Sequence, residues 1–305
     1  MTSIALLIPA RNAATTLPDL LGSARGQAPP FDEVLCFDDA SGDETAEVAR
    51  SLGAAVIQAD KRVGAGAARN RLAERSRCEW IHFHDADDLL LPAHNAMVHE
   101  LMTPGVDVVV AGSIWEEQFT GRKVMEWQYR DAELVADPLL SVLSNPVGGI
   151  SATLRRSVFE SVNGFDERRS CWEDADLHVR LAAAGARYRA VEQPLTKAIR
   201  RDGSLSADQD HCRRCRLEYL AGYRELVDSR HLDAVALEAA RLMENAFRGG
   251  DKEVAREAMV LASQLGLSLP DTQNPWLRAV GRISPFGASW LQARWRRPRD
   301  PVRNR

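Results

Sequence analysis

No apolar run in this 305-residue chain approaches the ~20 residues needed to span a bilayer. The longest, IALLIPA from Ile4 and VDVVVAGSIW from Val106, fall well short. The N-terminus also lacks a basic stretch leading into a long apolar one, which argues against a secretory signal and for a cytoplasmic location. Cysteine is scarce and odd in number. Cys36, Cys78, Cys171, Cys212 and Cys215 suit a reducing compartment better than a disulfide framework. Cys212 and Cys215 form one CxxC beside His211, but a zinc site needs further ligands and the pair sits in an arginine-rich helical stretch, so two thiols on a helix face are expected. Charge of one sign is not in excess either: the net of −4 gives no reason to expect nucleic acid as a partner. With 45% hydrophobic and 27% charged residues, the chain is neither disordered nor low-complexity.

The first ~110 residues alternate short apolar runs with segments of helical period, the pattern of βα units feeding a mostly parallel sheet. Residues 4–10, 33–39, 54–59 and 79–88 are expected as strands, the last running into a carboxylate cluster. Helices are expected after Thr15 or Thr16, from Asp43 or Thr45 to Leu52, and over 66–77. Two strand-like runs between Val106 and Tyr129 predict a hairpin through Thr120-Gly121. A helix over 132–143, a strand over 148–154, a helix over 156–162 and the helix of CWEDADLHVRLAAAG, ended by Gly185, follow. From 208 to 265 the chain reads as helix, broken into two pieces at Gly249-Gly250.

The expected strands end in carboxylates. In an open α/β sheet ligands bind beyond the carboxyl ends of strands, which would bring Asp38-Asp39 and Asp85-Ala86-Asp87-Asp88 over one crevice. Crowded carboxylates repel unless a cation or hydrogen-bonding ligand compensates them, and Mg²⁺ or Mn²⁺ takes one or two carboxylates plus a substrate's phosphates. A solvated turn with helix-capping aspartates is the competing reading of DADD. GAGAARN (64–70) has Arg69 where a dinucleotide fingerprint needs a third glycine, and it follows the third strand rather than the first. As a helix start it permits close backbone approach at Gly64 and Gly66 and offers Arg69 and Asn70 as donors to an anion or ribose, or it is simply a helix start. Glu173-Asp174 open a helix, where the dipole favours acidic residues without any function. Beside a metal–phosphate crevice, however, a carboxylate there is a candidate general base.

Taken in order, IPARNAATTLPDLLGS, DDASGDET, GAGAARN, DADD, GGISATLRRSVFESVNGFDE and CWEDADLHVRLAAAG resemble the inverting glycosyltransferases of family 2, GT-A type, from about residue 3 to 206. The resemblance implies an α/β fold: a Rossmann-like mixed, mostly parallel sheet flanked by helices, here with a C-terminal helical extension. It implies that Pro9, Ala10, Asn12 and Asp39 form the pocket for base and ribose, with Arg69 and Asn70 beside them. Asp85 and Asp87 fall on the DxD element that meets the ribose or donor sugar and the divalent ion, Mn²⁺ or Mg²⁺, with Asp88 alongside as a second ligand. Asp174, with Glu173 beside it, falls on the catalytic base. The implied reaction moves a sugar, of the hexosyl or N-acetylhexosaminyl class, from a nucleotide-diphosphate sugar such as a UDP-sugar to an acceptor hydroxyl of a glycan, polysaccharide or glycolipid. One departure stands out. Relatives often carry a histidine before Gly-Ser in the loop closing the donor site, whereas this chain reads AIRRDGSLS, so Arg201 is expected to pair with the diphosphate.

The expected organisation is a catalytic domain over 1–206, a helical extension over 207–275 and a basic tail over 276–305. From Trp276 onward the tail holds eight arginines against one acidic residue, Asp300, interleaved with Trp276, Trp290 and Trp295. That composition suits peripheral contact with an anionic membrane face and a lipid-linked acceptor, or a solvated basic end. Competing functional readings are nucleotidyl transfer in a related crevice and a non-catalytic sugar-binding module. The latter would be expected to have lost Asp87 or Asp174, and both are present.

Overall fold

Seven residues as evenly apolar as IALLIPA suit a strand covered on both faces, and Ile4–Ala10 (β1) is buried along nearly its whole length. The computed structural model describes residues 2–201 and 208–267. The chain divides into two units, Met1–Ala207 and Asp208–Arg305. After β1 come α1 (Leu17–Arg25), β2 (Glu33–Asp38), α2 (Thr45–Ser51), β3 (Ala55–Gln58), α3 (Ala65–Arg75) and β4 (Trp80–Phe83). The four strands are parallel, ordered β3-β2-β1-β4. Leu6, Ile8 and Ala10 pack with Leu17, Leu20, Leu21 and Ala24 of α1, the face predicted from their helical spacing.

Beyond β4 the alternation ends. Short β5 (Leu89–Leu90), α4 (His94–Leu101), the hairpin of β6 (Val108–Glu117) and β7 (Lys123–Trp127), α5 (Asp131–Ala136), α6 (Pro138–Ser144), β8 (Ala152–Arg155), α7 (Arg156–Ser161), α8 (Glu173–Ala183) and β9 (Tyr188–Arg200) complete the unit. The sheet continues β4-β8-β6-β9-β5, with β7 on the flank of β6. β8 is antiparallel to both β4 and β6, and β6 is parallel to β9. The ends of β1, β2, β4 and β9, and the turn leading into β8, therefore all meet one edge of the sheet.

Several expected boundaries shift. The 79–88 run pairs only from Trp80 onward against β1, and Asp85–Asp88 forms a turn, with Asp88 N–H donating to Asp85 C=O at 3.1 Å. Residues 148–151 also turn, Ser151 N–H donating to Gly148 C=O at 3.0 Å, so the strand begins at Ala152. The 132–143 helix is two helices, because Asp137 is extended and its carboxylate caps a new start by accepting from Leu140 N–H. β9 was not expected from the sequence. Pro194 lies at a register shift opposite Gly112, where a missing N–H interrupts no regular ladder.

In the second unit α9 (Gln209–Leu226), α10 (Leu232–Arg248) and α11 (Lys252–Gln264) make three helices rather than two, with a further break after Leu226. α10 packs against both of the others. A buried ion pair, Arg216 to Glu238 at 3.3 Å, joins α9 to α10. Cys215 is a buried free thiol, but Cys212 is disulfide-bonded, which corrects the expectation of a thiol pair. The tail over 276–305 lies outside the described residues.

At Gly112 a Cβ would stand 2.5 Å from the Trp127 carbonyl oxygen and 3.3 Å from Gln193 backbone, so β7 and β9 close on β6 only around a bare Cα. Gly112→Ala is expected to cost about 1–3 kcal/mol in urea unfolding. Gly105→Ala, with nothing within 4 Å of the added carbon, should stay within about 0.5 kcal/mol of wild type.

Candidate active site

The loops after β1 and β2 are tied to each other. Asn12, at φ +51°, donates its backbone N–H to Ser41 Oγ at 2.9 Å and accepts from Gly42 N–H at its side-chain oxygen. Ala13 N–H donates to Thr45 Oγ at 2.8 Å. Asp39 is buried at the end of β2, and its two oxygens accept from Val63 N–H at 2.6 Å and Gly64 N–H at 3.0 Å. It thereby draws the approach to α3 onto the end of β2. Gly64 has φ +91°, a conformation that favours glycine. Pro9, Ala10, Asn12 and Asp39 thus sit at adjoining strand ends, with the Asp39 carboxylate engaged by backbone.

The carboxylates of DADD take different partners. Asp85 Oδ1 accepts from Arg69 Nη2 at 2.7 Å. Asp87 Oδ2 lies 2.6 Å from Arg201 Nη1, just past β9. Asp88 is buried and accepts from Ile199 N–H at 2.8 Å, which fastens the turn to β9. Burial, then the charge of Asp85, raises the proton affinity of Asp87 despite Arg201. Burial, Asp85 and Asp87 push Asp88 well above the usual carboxylate range.

Arg69 reaches from α3 into the same place. It is buried, and its Nη1 donates to Glu173 Oε1 at 2.8 Å while Nη2 holds Asp85. Burial opposes its charge, but Asp85 and Glu173 outweigh that, so it stays protonated. Asp174, next on α8, is half-buried and pushed up to about 6, first by burial and then by Glu173. Its Oδ1 accepts from Ala175 N–H. A Cβ on Gly149 would stand 3.5 Å from Arg69 Nη2 and 3.7 Å from Asp174 Oδ2, so the turn ahead of β8 borders both the guanidinium and the carboxylate. Trp172 begins α8 in the left-handed conformation, φ +66°.

Arg69, Asp85, Glu173 and Asp174 are therefore gathered at one point, with Asp87 and Asp88 on the adjoining part of the turn and Arg201 reaching Asp87 from just past β9. Asn70 is engaged elsewhere: its amide donates to Phe165 C=O and Glu167 Oε1 and accepts from Phe165 N–H. Among the described residues, no three His, Cys, Asp or Glu side chains are arranged around a common metal position. The donor chemistry nonetheless fits a hard divalent ion. Asp87 and Asp88 offer carboxylate oxygens whose charge is disfavoured first by burial and then by neighbouring carboxylates, and such ions take one or two carboxylates with substrate phosphates.

The family model described as Glycosyl transferase family 2 matches residues 5–162, just over half of the chain. The chain belongs to glycosyl transferase family 2. Among known proteins this family 2 member is similar to succinoglycan biosynthesis protein ExoU of Rhizobium meliloti (strain 1021), 28% identical over 224 residues, which cover 67% of this chain and 64% of ExoU. It therefore spans under two thirds of that relative's length. ExoO of the same organism is 26% identical over 247 residues, 72% of this chain and 70% of ExoO. Among solved structures it resembles S. aureus TarS 1–349 in complex with UDP, with TM-score 0.55 and 17% identity over 86% of this chain and 92% of that one. It also resembles mannosyltransferase PcManGT from Pyrobaculum calidifontis in complex with GDP-Man and Mn²⁺, with TM-score 0.56 and 18% identity over 96% and 87%. At such identities the likeness is one of fold, the mixed, mostly parallel sheet with flanking helices of GT-A enzymes.

Sequence reasoning passed over one feature of this family 2 member, a histidine cluster behind the DADD turn. His82, His84 and His94 are buried. His82 Nδ1 faces the Ala152 carbonyl at 3.1 Å and must carry the proton, so its Nε2, 3.1 Å from His84 Nδ1, is the acceptor. The only signal was two histidines at i and i+2 on a strand. Burial lowers all three: His82 well below its ordinary range, His84 to about 3 and His94 to about 4. Because these pKa values are lower folded than unfolded, their stability contribution is complete above the unfolded pKa near 6.5 and is lost as pH falls towards 4. Asp174, raised when folded, acts in the opposite sense. In urea titrations between pH 6 and 4.5, His84→Gln is expected to flatten the pH dependence by about 1.4 kcal/mol per pH unit. An unchanged slope would show that His84 is not held neutral.

Proposed function

We propose that this glycosyltransferase moves a sugar from a nucleotide-diphosphate sugar, a UDP-sugar in the simplest case, to an acceptor hydroxyl with inversion, in the synthesis of a polysaccharide or lipid-linked glycan. The observation that carries the reading is Asp174: a half-buried carboxylate raised to about 6, with Oδ2 beside Gly149 and Arg69 linking its helix to the DADD turn. TarS in complex with UDP-GlcNAc, PcManGT with GDP-Man, and the succinoglycan proteins support a nucleotide-sugar donor and a polysaccharide product.

Asp174 takes the proton of the acceptor hydroxyl as that oxygen bonds to the anomeric carbon. The bond from that carbon to the diphosphate breaks on the opposite side, and the electron pair leaves with the nucleoside diphosphate. No covalent enzyme intermediate forms, so configuration inverts. Pro9, Ala10, Asn12 and Asp39 line the place for the nucleoside, and Asp85 faces the ribose or donor sugar. Arg201 offers its planar donor pair to the diphosphate. Asp87 and Asp88 would hold Mn²⁺ or Mg²⁺, which when bound supplies positive charge for the departing diphosphate. No helix among the described residues is long and apolar enough to cross a membrane. Peripheral contact with a lipid-linked acceptor is assigned to the basic tail over 276–305.

The test is nucleoside diphosphate release from a panel of nucleotide-sugars with Mn²⁺, Mg²⁺ or EDTA. One donor is expected to turn over in a reaction that needs metal and Asp87. With donor and acceptor supplied, Asp174→Asn should lower kcat about 10²–10⁴-fold with nucleotide binding retained. Wild-type kcat should rise with pH through about 6, as Asp174 loses its proton, and level off above. Full transfer by Asp174→Asn would overturn the assignment.

A further inference from the structure

We propose that Arg69 is a positioning residue that locks the helix bearing the general base to the donor-side turn, rather than a contact to base or ribose. The proposal rests on Asp174 being the base. Three elements distant in sequence converge on this guanidinium: α3 supplies it, the turn after β4 supplies Asp85, and the first residue of α8 supplies Glu173. Only 5% of Arg69 is exposed, and Phe165 lies under the guanidinium at 5.3 Å from its ring centre. To reach a nucleotide, Arg69 would have to release a carboxylate that is itself partly removed from water, at the cost that attends any unpaired buried charge.

The choice of Glu173 over its neighbour is what makes the arrangement useful. An arginine bonded to Asp174 directly would occupy the oxygen that must accept a proton. Bonded to Glu173, it fixes the first turn of α8, including the left-handed residue Trp172, and leaves Asp174 Oδ2 with no hydrogen bond among the described residues. Gly149 borders both groups: a Cβ added there would stand 3.5 Å from Arg69 Nη2 and 3.7 Å from Asp174 Oδ2. The charged and titratable groups facing Asp174 are Glu173 on its own helix, Arg69 from α3, Asp85 after β4 and Tyr129 ahead of α5. Arg69 is the cation of the set, so its loss must raise the proton affinity of Asp174, and loss of Glu173 must lower it.

The experiment compares Arg69→Met, Arg69→Lys and Glu173→Gln, reading UDP and GDP affinity by calorimetry and kcat against pH. In Arg69→Met the rising limb should move to higher pH with kcat down at least 10-fold, while nucleotide affinity stays within about threefold. In Glu173→Gln the limb should move to lower pH. Arg69→Lys keeps the charge but cannot reach both carboxylates, so it should restore the limb and only part of the rate. A fall of 10-fold or more in nucleotide affinity for Arg69→Met or Arg69→Lys, with the limb unmoved, would assign Arg69 to the nucleotide and overturn the proposal. If Arg69→Met does not fold, Arg69→Lys and Glu173→Gln still decide. A full rate in Asp174→Asn would remove the base itself, a failure seen independently of any Arg69 variant.

Discussion

A guanidinium taken out of water is tolerated only where its charge is met, and Arg69 meets it with carboxylates from two separate parts of the chain. That requirement fixes more than two side chains. It sets the roll of α3, the approach of the turn after β4, and the point at which α8 begins. The carboxylates in turn could not lie so close to Asp174, Asp87 and Asp88 without it. The candidate site is thus organised around a buried cation, with the sheet supplying the strand ends and Arg69 supplying the reason they converge.

Even so, negative charge exceeds positive on this edge. Asp85, Asp87, Asp88, Glu173 and Asp174 face Arg69 and Arg201, and the excess adds to burial in raising the proton affinity of Asp87, Asp88 and Asp174. A nucleoside diphosphate brings further negative charge. A site of this kind accepts such a ligand only together with a cation, so the shortage of positive charge and the proposed divalent ion are two sides of one electrostatic condition. The same crowding joins burial in raising Asp174 to about 6, which suits the proton acceptor proposed there.

Local pattern carried much of this into the sequence. The alternating apolar runs and helical periods of residues 4–83 lead to β1 through β4, and the acidic pairs after them mark the edge where they end. What pattern could not carry was long-range. Arg69 stands 104 positions from Glu173, and nothing local says that a helix-start arginine will turn inward. Asn70, beside it, offers the same donors but spends them on Phe165 and Glu167. β9 escaped because Glu192, Gln193 and Pro194 interrupt its apolar period at the place where the sheet itself is irregular. The glycines of GGIS are compatible with extended or turned backbone, and only the hydrogen bond from Ser151 to Gly148 decides between them.

The reversed direction of β8 divides the site by how the chain arrives at it. The proposed donor half is made where chain leaves the sheet, at the ends of β1, β2 and β4, and each loop there is short and tied to its neighbour. The half beside Gly149 is made where chain enters the sheet, after the long passage from β7 through α5 and α6. That passage is anchored to β9, where the Asp131 carboxylate accepts from Arg189 and from Ala190 N–H. On the proposed reading, donor and acceptor therefore answer to different stretches of chain, the one to short loops and the other to two helices strung along a long connection.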